Sequence, residues 1–489
     1  MNTEVANLEP SIVWNHFEQL NAVPRPSKQE ERVIAFMKKF GEDLDFETIV
    51  DSVGNVIIKK PATSGKEDCQ TVILQSHLDM VHQKNADTDF DFQTQGIQSY
   101  IDGEWVKAKG TTLGADNGMG AASMMAVLSS TDIQHGPLEC LFTIDEETGM
   151  TGAQNIDQGL LSGKILINTD TEDEGELCIG CAGGVDTTVV MDYTSMSASS
   201  IEFEHETLKL SVTGLKGGHS GCEIHLGRGN ANKIMNELLQ TTAGPFGVTV
   251  AAIQGGSLRN AIPRESFATI VVPKETAQSF REAIESLTAQ IKETLTEADP
   301  ELTVTVEPGP TPETVMEPTS QQVLLNSLDA VPNGVYSMSE AVPGLVETSS
   351  NLSKVDVADG KVMIQFLTRS SVETGRDELT SEIRTSFPEK HFRVDNSGAY
   401  NGWAPNADSD IKRLMIGVYQ DLYGKEPTVN AIHAGLECGI LGSRYPGLDM
   451  ISFGPTIKNP HSPDEKCHIP SVKKYWDYLL AVLEKIPAA

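Results

Sequence analysis

Short apolar runs alternate with helical patterns in the first part of the chain. Runs such as "TVILQ" (71–75) and "LECLFTI" (138–144) are nearly all apolar, which is typical of strands buried on both faces. This alternation predicts an α/β domain with a mostly parallel sheet covered by helices. The predicted elements are helices at 10–22, 28–43, 117–130 and 152–161, strands at 71–75, 138–144 and 164–169, and a strand pair around Gly54.

The pattern changes after about residue 185. Strands now alternate apolar and polar positions, and amphipathic helices lie between them, which predicts an α+β domain with an antiparallel sheet. From about residue 388 the first pattern returns and ends in a helix. We therefore predict a discontinuous domain of residues 1–186 plus 388–489, interrupted by an inserted domain of residues 187–387. The helices predicted for the insertion lie at 230–241, 275–297, 319–329 and 373–386.

Composition and charge limit the kinds of partner and the cellular compartment that we expect for this protein. The formal net charge is −32, which disfavours nucleic acid and anionic membranes as partners because both require a basic face. No apolar run approaches the roughly 20 residues needed to cross a bilayer, and "MNTEVANLEP" lacks a secretory pattern. The seven cysteines are odd in number and suit a reducing compartment. We expect a cytoplasmic protein.

Cys178 and Cys181 form a single CxxC in "LCIGCAGG". Such a pair is compatible with redox chemistry or with half of a zinc knuckle. A second CxxC is missing from the sequence, and no thioredoxin-like helix start follows. We therefore expect two small buried residues in a Gly-rich segment.

Acidic and histidine side chains follow the predicted buried strands. In "LFTIDEETGM" three carboxylates, Asp145 to Glu147, end a strand, and their repulsion must be relieved by solvent, a basic partner or a metal ion. Ligands bind beyond the carboxyl ends of parallel strands, so these groups are expected to converge. Without a matching Arg or Lys, the set favours a divalent-metal site. The other members of the set are His77, Asp79, Asp116, Asp170 and His461.

Each residue alone is weak evidence for a metal site, because a lone histidine is more often structural and an acidic run is usually solvated. The spacing of His77 and Asp79 directs both side chains to the same side of an extended segment. Asp79 is then placed to fix the orientation of a ligating His77. The adjacent Glu146 and Glu147 allow one carboxylate to bind metal while the other handles protons.

Several long motifs resemble one known family. "SHLDMV", "TLGADNGMGAA", "TIDEETGMTGA", "INTDTEDEGELCIGCAGG" and "GLKGGHSGCEIHLGRGNANK" are similar to the co-catalytic zinc exopeptidases of the aminoacylase and carnosinase superfamily. Within it they resemble the bacterial aminoacyl-histidine dipeptidases, over nearly the whole chain. The resemblance implies a catalytic domain with an inserted lid or dimerisation domain.

The resemblance also assigns roles at the site. His77 and Asp170 would bind one zinc ion, Glu147 and His461 a second, and Asp116 both, with a cis peptide bond to Asn117. Asp79 would orient His77, and Glu146 would be the general base for a hydroxide held between two Zn²⁺, with Co²⁺ or Mn²⁺ as substitutes. These roles imply hydrolysis of dipeptides, preferentially Xaa-His and carnosine-type substrates.

Four further residues are candidates for substrate contacts. By resemblance, His219 would stabilise the oxyanion, Arg369 would bind the C-terminal carboxylate, and Asn260 would make a polar contact. Glu437 would receive the free amino group, whereas His433 is expected to be structural. Three of them have a plainer interpretation, as a turn residue for His219 and Asn260 and as an edge-strand surface residue for Arg369. Because His219 lies in the insertion, the site would form by domain closure or in a homodimer, which we favour.

Other functions remain open at this point. On the same fold, the chain could be an N-acyl amino-acid deacylase or a tripeptidase, and turnover of substrates with a blocked N-terminus separates these from a dipeptidase. A non-catalytic zinc-binding or scaffolding protein is the alternative of another class. A protein that had lost catalysis would be expected to lose the base or a ligand, and Glu146 and every ligand position are present.

Overall fold

Helices and strands follow one another along the chain largely as the hydrophobic pattern predicts. The computed structural model of the protein describes residues 2–340 and 342–489. The helices are α1 Thr3–Ala6, α2 Ser11–Asn21, α3 Glu31–Asp43, α4 Ala115–Ser129, α5 Glu146–Gly149, α6 Thr151–Gln154, α7 Ala231–Phe246, α8 Ala277–Leu295, α9 Pro318–Ala330, α10 Glu373–Ser386, α11 Asp410–Tyr423, α12 Glu437–Arg444 and α13 Ile469–Lys485. The strands are β1 Glu47–Val50, β2 Val56–Lys60, β3 Val72–His77, β4 Ser99–Asp102, β5 Trp105–Ala108, β6 Leu138–Thr143, β7 Ile165–Asn168, β8 Glu176–Cys181, β9 Gly183–Asp192, β10 Ser195–Ser197, β11 His205–Thr213, β12 Gly218–His219, β13 Thr249–Gly255, β14 Ala261–Ile262, β15 Ser266–Pro273, β16 Thr303–Pro308, β17 Thr314–Met316, β18 Gly334–Met338, β19 Val346–Ala358, β20 Lys361–Ser370, β21 Arg393–Tyr400, β22 Thr428–Ile432, β23 Asp449–Ser452, β24 Ile457–Lys458 and β25 Lys466–His468.

The chain divides into two units. Unit 1 comprises residues 2–181, 403–431 and 436–489, and unit 2 comprises Ala182–Gly402 and Ile432–Gly435. The predicted division into domains, with boundaries at 186/187 and 387/388, stays a prediction.

Unit 1 is built on a mixed sheet with a parallel centre. Within the described residues its strand order is β1-β2-β6-β3-β7-β23-β8-β22. The pairs β6–β3, β3–β7 and β7–β23 are parallel, while β1–β2, β2–β6 and β23–β8 are antiparallel. The parallel strands β3 and β6 are buried along their whole length, as their apolar sequences require. The parallel register sets His77 opposite Thr143, two residues before Asp145.

The core of unit 1 joins this sheet to the helices that pack on it. Helix α4 packs against α2 and β3, and α11 packs against α13 and β23. Helix α4 is buried almost throughout, which explains its small apolar residues and its lack of a polar face. The buried side chains of this core include Trp14, Phe17, Leu74, Met124, Phe142, Ile451 and Tyr475.

Unit 2 is an antiparallel sheet with helices packed on it. In the part of the chain that is described, the sheet runs β16-β11-β15-β13-β19-β20-β9-β21, and β18 pairs with β19. Every pair for which the register is defined is antiparallel. Helix α7 packs across the sheet, and its asparagine cap at Asn230 accepts from the amides of Asn232 and Lys233.

The predicted fold class is confirmed, and one predicted helix is wrong. Of the predicted helix at 152–161, only α6 (Thr151–Gln154) forms. The following residues include Asn155, Asp157 and Gly159, which favour turns, and Gly159 takes φ 78°. The long strand β19 was not predicted. Among the described residues, no helix is long and apolar enough to cross a membrane.

Candidate metal centre

Asp116 faces two histidines with its two carboxylate oxygens. Its Oδ1 lies 3.3 Å from His77 Nε2, and its Oδ2 lies 3.2 Å from His461 Nε2. His77 ends strand β3, whereas Asp116 lies at the start of α4 in a non-helical conformation. A cis peptide bond joins Asp116 and Asn117, as the resemblance implies. The arrangement brings three predicted residues from distant parts of the sequence together around one carboxylate.

His77 is buried and held in one orientation by Asp79. The side chain is 1% exposed, and its Nδ1 lies 3.1 Å from the backbone oxygen of Asp79 and 3.4 Å from Asp79 Oδ1. A carbonyl oxygen can only accept, so Nδ1 carries a proton and Nε2 points at Asp116 and Asp170. The Asp79 carboxylate also accepts from the backbone amides of Glu146 and Glu147, at 3.0 and 3.3 Å. Asp79 therefore orients a histidine and the glutamate pair together.

Glu147 and His461 complete a second group around Asp116. Glu147 Oε2 lies 3.0 Å from His461 Nε2. The other oxygen, Oε1, is buried and makes no hydrogen bond within the described residues. Asp170 belongs to the first group, with Oδ1 3.5 Å from His77 Nε2 and accepting a hydrogen bond from the Asn117 side chain.

The electrostatics show a concentration of negative charge. Burial raises the pKa of Glu146 well above its usual value, and the neighbouring Asp170, Glu147 and Glu437 raise it further. Burial likewise raises the pKa of Asp170 to about 6 and that of Glu172 to about 8. The Asp116 and Glu147 carboxylates raise the pKa of His461 to about 11. For His77, burial lowers the pKa, but Asp170, Asp116 and Asp79 outweigh it and the pKa is well above the usual value.

These side chains suit divalent metal ions. His77, Asp116 and Asp170 offer ligand atoms that all lie within 4.8 Å of one another, as do Asp116, Glu147 and His461. Imidazole nitrogens and carboxylate oxygens are ligands of zinc and similar ions. Both histidines direct Nε2 at carboxylate oxygens, where a metal ion can replace the proton. The unpartnered Glu147 oxygen is a further free ligand atom. The two sets share Asp116, so the residues fit a pair of ions.

Two charged residues beside this centre were not predicted. Arg25 is 2% exposed and donates to backbone carbonyl oxygens, which corrects the expectation that no basic residue lies nearby. Glu465 is also 2% exposed and accepts from backbone amides at the start of α4. Their signal in the sequence was an Arg between two prolines in "VPRPS" and an acid just after His461 in "HSPDE". A further buried acidic group consists of Glu30, Asp79 and Asp145.

Glu437 lies at the start of α12 and is 1% exposed. Its Oε2 accepts from Gln75 Nε2 and from Thr143 Oγ1, both at 2.6 Å. Its Oε1 is buried and has no hydrogen-bond partner among the described residues. Burial raises its pKa to about 7. Gln75 was detectable as a polar residue near the end of an otherwise apolar strand, but the sequence did not show that it pairs with Glu437.

Arg369, His433 and His219 belong to unit 2. Arg369 is 5% exposed and therefore is not the surface residue of the plainer interpretation. His433 Nε2 lies 2.7 Å from Ser349 Oγ, and burial followed by the nearby Arg369 cation lowers its pKa to about 3. Strand pairing sets Ser349 opposite Arg369. The structure thus brings Arg369 and His433 together in unit 2.

His219 and Asn260 are neighbours on a short two-stranded sheet. His219 in β12 pairs with Ala261 in β14, and the Asn260 backbone oxygen accepts from the Ser220 amide at 2.8 Å. His219 Nδ1 accepts from the amides of Gly221 and Cys222, at 3.1 and 3.0 Å. Because Nδ1 accepts, the proton of the neutral ring is on Nε2, which is then a donor.

The CxxC cysteines are both buried, and neither forms a disulfide with another described residue. Burial raises the pKa of Cys181 to about 12. Neither belongs to a group of potential metal ligands in the described residues. The expectation of a structural pair is consistent with these contacts.

Comparison with known proteins identifies the family. The model of peptidase family M20/M25/M40 matches residues 73–485. The chain belongs to this peptidase family. The match spans every residue of the candidate metal centre, from His77 to His461.

Individual relatives extend this finding. The chain is 43% identical to the cytosol non-specific dipeptidase of Escherichia coli over 486 residues, which are 99% of this chain and 100% of the relative. It is similar to the crystal structure of aminoacylhistidine dipeptidase from Vibrio alginolyticus, with 45% identity, a TM-score of 0.92 and coverage of 99% and 98%. Aminopeptidase PepT of Bacillus cereus, at 15% identity, a TM-score of 0.58 and coverage of 98% and 99%, shares the fold alone.

Proposed function

We propose that this member of peptidase family M20/M25/M40 is a metal-dependent dipeptidase that prefers Xaa-His substrates, including carnosine-type dipeptides. The observation that carries the proposal is the pair of ligand sets that share Asp116, with Glu146 beside both. The names of the Escherichia coli and Vibrio alginolyticus relatives support dipeptide hydrolysis. The two names differ in specificity, so the preference for histidine needs its own test.

The metal ligands we propose are His77, Asp170, Glu147, His461 and the shared Asp116. The ions, for which zinc is the first candidate and Co²⁺ or Mn²⁺ are substitutes, would supply Lewis-acid polarisation of the carbonyl and would lower the pKa of water. Asp79 holds His77 by Nδ1 and leaves Nε2 for the metal.

Glu146 is the proposed general base. Its backbone amide is fixed by Asp79, and its side chain is half-buried beside the ligand sets. There it accepts a proton from the attacking water and delivers it to the nitrogen of the leaving amine. Glu147, whose Oε2 faces His461, is assigned to metal binding instead.

The remaining candidates bind the two ends of a dipeptide. Glu437 Oε1 is buried without a partner in the described residues, so it can accept from the ammonium group of a free N-terminus. Arg369 Nε is likewise buried and has no hydrogen-bond partner in the described residues. The guanidinium group of Arg369 can bind the C-terminal carboxylate with two parallel hydrogen bonds. His219 Nε2–H is assigned to the developing oxyanion and Asn260 to a polar contact, both from the resemblance.

The proposal also covers the domain organisation, the oligomeric state and the cellular location of the protein. Residues 1–186 plus 388–489 would form the catalytic domain, and residues 187–387 the inserted lid or dimerisation domain. The protein would be a homodimer, with His219 acting in its own chain or in its partner. The name of the Escherichia coli relative supports a cytoplasmic location.

Turnover of matched compounds tests the proposal. Carnosine, Gly-His, Gly-Ala and N-acetyl-histidine are incubated with the purified protein and added zinc, before and after chelation. We expect chelator-sensitive cleavage of the dipeptides, faster for Gly-His than for Gly-Ala, and none of N-acetyl-histidine. Equal rates for Gly-His and Gly-Ala would overturn the histidine preference. Hydrolysis of N-acetyl-histidine alone would make the protein a deacylase.

A further inference from the structure

Glu465 binds the backbone that carries Asp116. Its Oε2 accepts from the amides of Leu113 and Gly114 at 2.7 and 3.0 Å. Its Oε1 accepts from the amides of Ala115 and Asp116 at 2.7 and 3.3 Å. Gly114, at the N-cap of α4, has no side chain to cap the helix. A carboxylate from far along the sequence therefore satisfies the free amides and lies at the positive end of the helix dipole.

Arg25 binds the same segment from the carbonyl side. Its Nη2 donates to the Gly114 oxygen at 2.6 Å, and its Nη1 donates to the oxygens of Leu78 and Asp79 at 3.1 and 3.2 Å. One guanidinium thus joins the segment after His77 to the segment before Asp116. A Cβ added to Gly114 or Gly118 would lie 2.6 Å from Nη2, so two glycines make room for this side chain.

Glu465 and Arg25 also connect segments that carry different proposed metal ligands. Glu465 is four positions after His461 and binds the Asp116 amide, so it couples the His461 loop to Asp116. Arg25 couples Asp116 to the segment of His77 and Asp79. The shared carboxylate Asp116 is consequently fixed relative to both histidines by buried hydrogen bonds, none of which involves a ligand atom.

We propose that Glu465 and Arg25 are positioning residues that orient Asp116 for metal binding, and that the affinity of the site depends on both. The inference rests on the metal-dependent function proposed above. Neither residue touches metal or substrate. They act by setting the backbone from which Asp116 projects, and a shared ligand that must face two ions is sensitive to small displacements.

Glu465→Gln and Arg25→Lys are the informative variants. The amide of Gln replaces one of the two accepting oxygens with a donor, so two of the four amides lose their acceptor. Lysine keeps the charge of Arg25 but cannot bind three carbonyl oxygens from a planar fork.

Controls come from two other buried charges that bind backbone. Glu139 is 3% exposed and accepts from the amides of Ser162 and Gly163, at the other end of β6 from Asp145. Lys60 donates to the oxygens of Val127 and Ser130 at the end of α4 remote from Asp116. The matched control variants are Glu139→Gln and Lys60→Arg.

The test is calorimetric and spectroscopic titration of the full-length apoprotein with Co²⁺, with the thermal unfolding of each apoprotein measured in parallel. We expect Glu465→Gln and Arg25→Lys to weaken Co²⁺ binding by about 10-fold or more and to change its visible absorption spectrum. The controls should bind Co²⁺ as the unmodified protein does, even where their unfolding temperature falls.

Three results would overturn the inference. Glu465→Gln and Arg25→Lys could bind Co²⁺ with unchanged affinity and spectrum. The controls could weaken binding as much, or both test variants could fail to fold, which would make the effect one of general stability. The unmodified protein could bind no Co²⁺, and this last result alone would also overturn the proposed function.

Discussion

Glu147 and His461 face each other, with 3.0 Å between Glu147 Oε2 and His461 Nε2. Glu146, one residue earlier, has its amide held by the same Asp79 carboxylate as Glu147 but makes no such contact with His461. The two adjacent glutamates therefore differ in their contacts. In the proposed function, Glu147 is a metal ligand and Glu146 carries the proton.

Glu146→Gln is expected to keep the metal and to lose hydrolysis. The variant removes a group that transfers protons, a change worth about 10²- to 10⁴-fold in rate, while leaving the proposed ligands in place. Dipeptide turnover and the metal content of the purified variant are the two measurements. Glu147→Gln is the matched comparison and is expected to lose metal as well as activity. A metal-free Glu146→Gln with a metal-bound Glu147→Gln would mean that the two roles are exchanged.

His219→Ala should lower kcat more than it raises KM. The proposed contact of His219 Nε2–H forms mainly in the transition state, and removal of one oxyanion donor costs about 10²- to 10³-fold in kcat. Steady-state kinetics on Gly-His provide the measurement. His225→Ala, at an exposed histidine of the same segment, is the control and should leave both constants unchanged. An effect of His219→Ala on KM alone would contradict the role in the oxyanion.

His433 is expected to make unit 2 sensitive to acid. Burial, followed by the Arg369 cation, lowers its pKa from 6.5 to about 3 in the folded chain. Between these two pH values the unfolded chain binds a proton that the folded chain excludes. The free energy of unfolding should therefore decrease as the pH falls below 6.5, by up to about 1.4 kcal/mol per pH unit from this residue.

Denaturant unfolding from pH 7 to pH 5 measures this dependence. The variant His433→Gln lacks the titrating group and should show a shallower loss of stability toward low pH than the unmodified protein. Parallel pH profiles for the two proteins would show that His433 binds its proton equally well in the folded chain, contrary to the expected pKa.

Gly221→Ala should destabilise unit 2. A Cβ at this position would lie 2.1 Å from the backbone oxygen of His433 and 3.0 Å from His219 Cε1. Backbone must move to relieve such a contact, at a cost of about 1 to 3 kcal/mol. Gly417→Ala on α11 is the control, because its Cβ would meet no described atom within 4 Å beyond its own helix. Alanine there should raise stability by up to about 1 kcal/mol. Equal stability of the two variants in denaturant would refute the steric argument.

The elements with strong periodicity were predictable from local sequence. Helices α2, α3, α10 and α13 and the buried strands β3, β6 and β7 lie where the pattern predicts them, because a buried face demands apolar residues at the period of the element. The predicted helix at 152–161 failed because its turn-forming residues outweighed a weak apolar pattern. Strand β19 was not predicted because buried Thr, Ser and Asn residues occupy much of it, and these lack a hydrophobic signal.

The sequence by itself determined which residues are available for chemistry: carboxylates and histidines at the ends of strands, and a glutamate pair after β6. Their types, their order and the parallel strands that carry them indicated a metal centre before any distance was known. The resemblance implied a shared role for Asp116, but only the tertiary structure decided that its two oxygens lie 3.3 and 3.2 Å from His77 and His461 and that Glu465 and Arg25 bind the backbone around it. These contacts join residues up to 352 positions apart, as Leu113 and Glu465 are. Such contacts leave no periodic pattern, because they arise from how the sheet and its helices pack and not from local conformational preference.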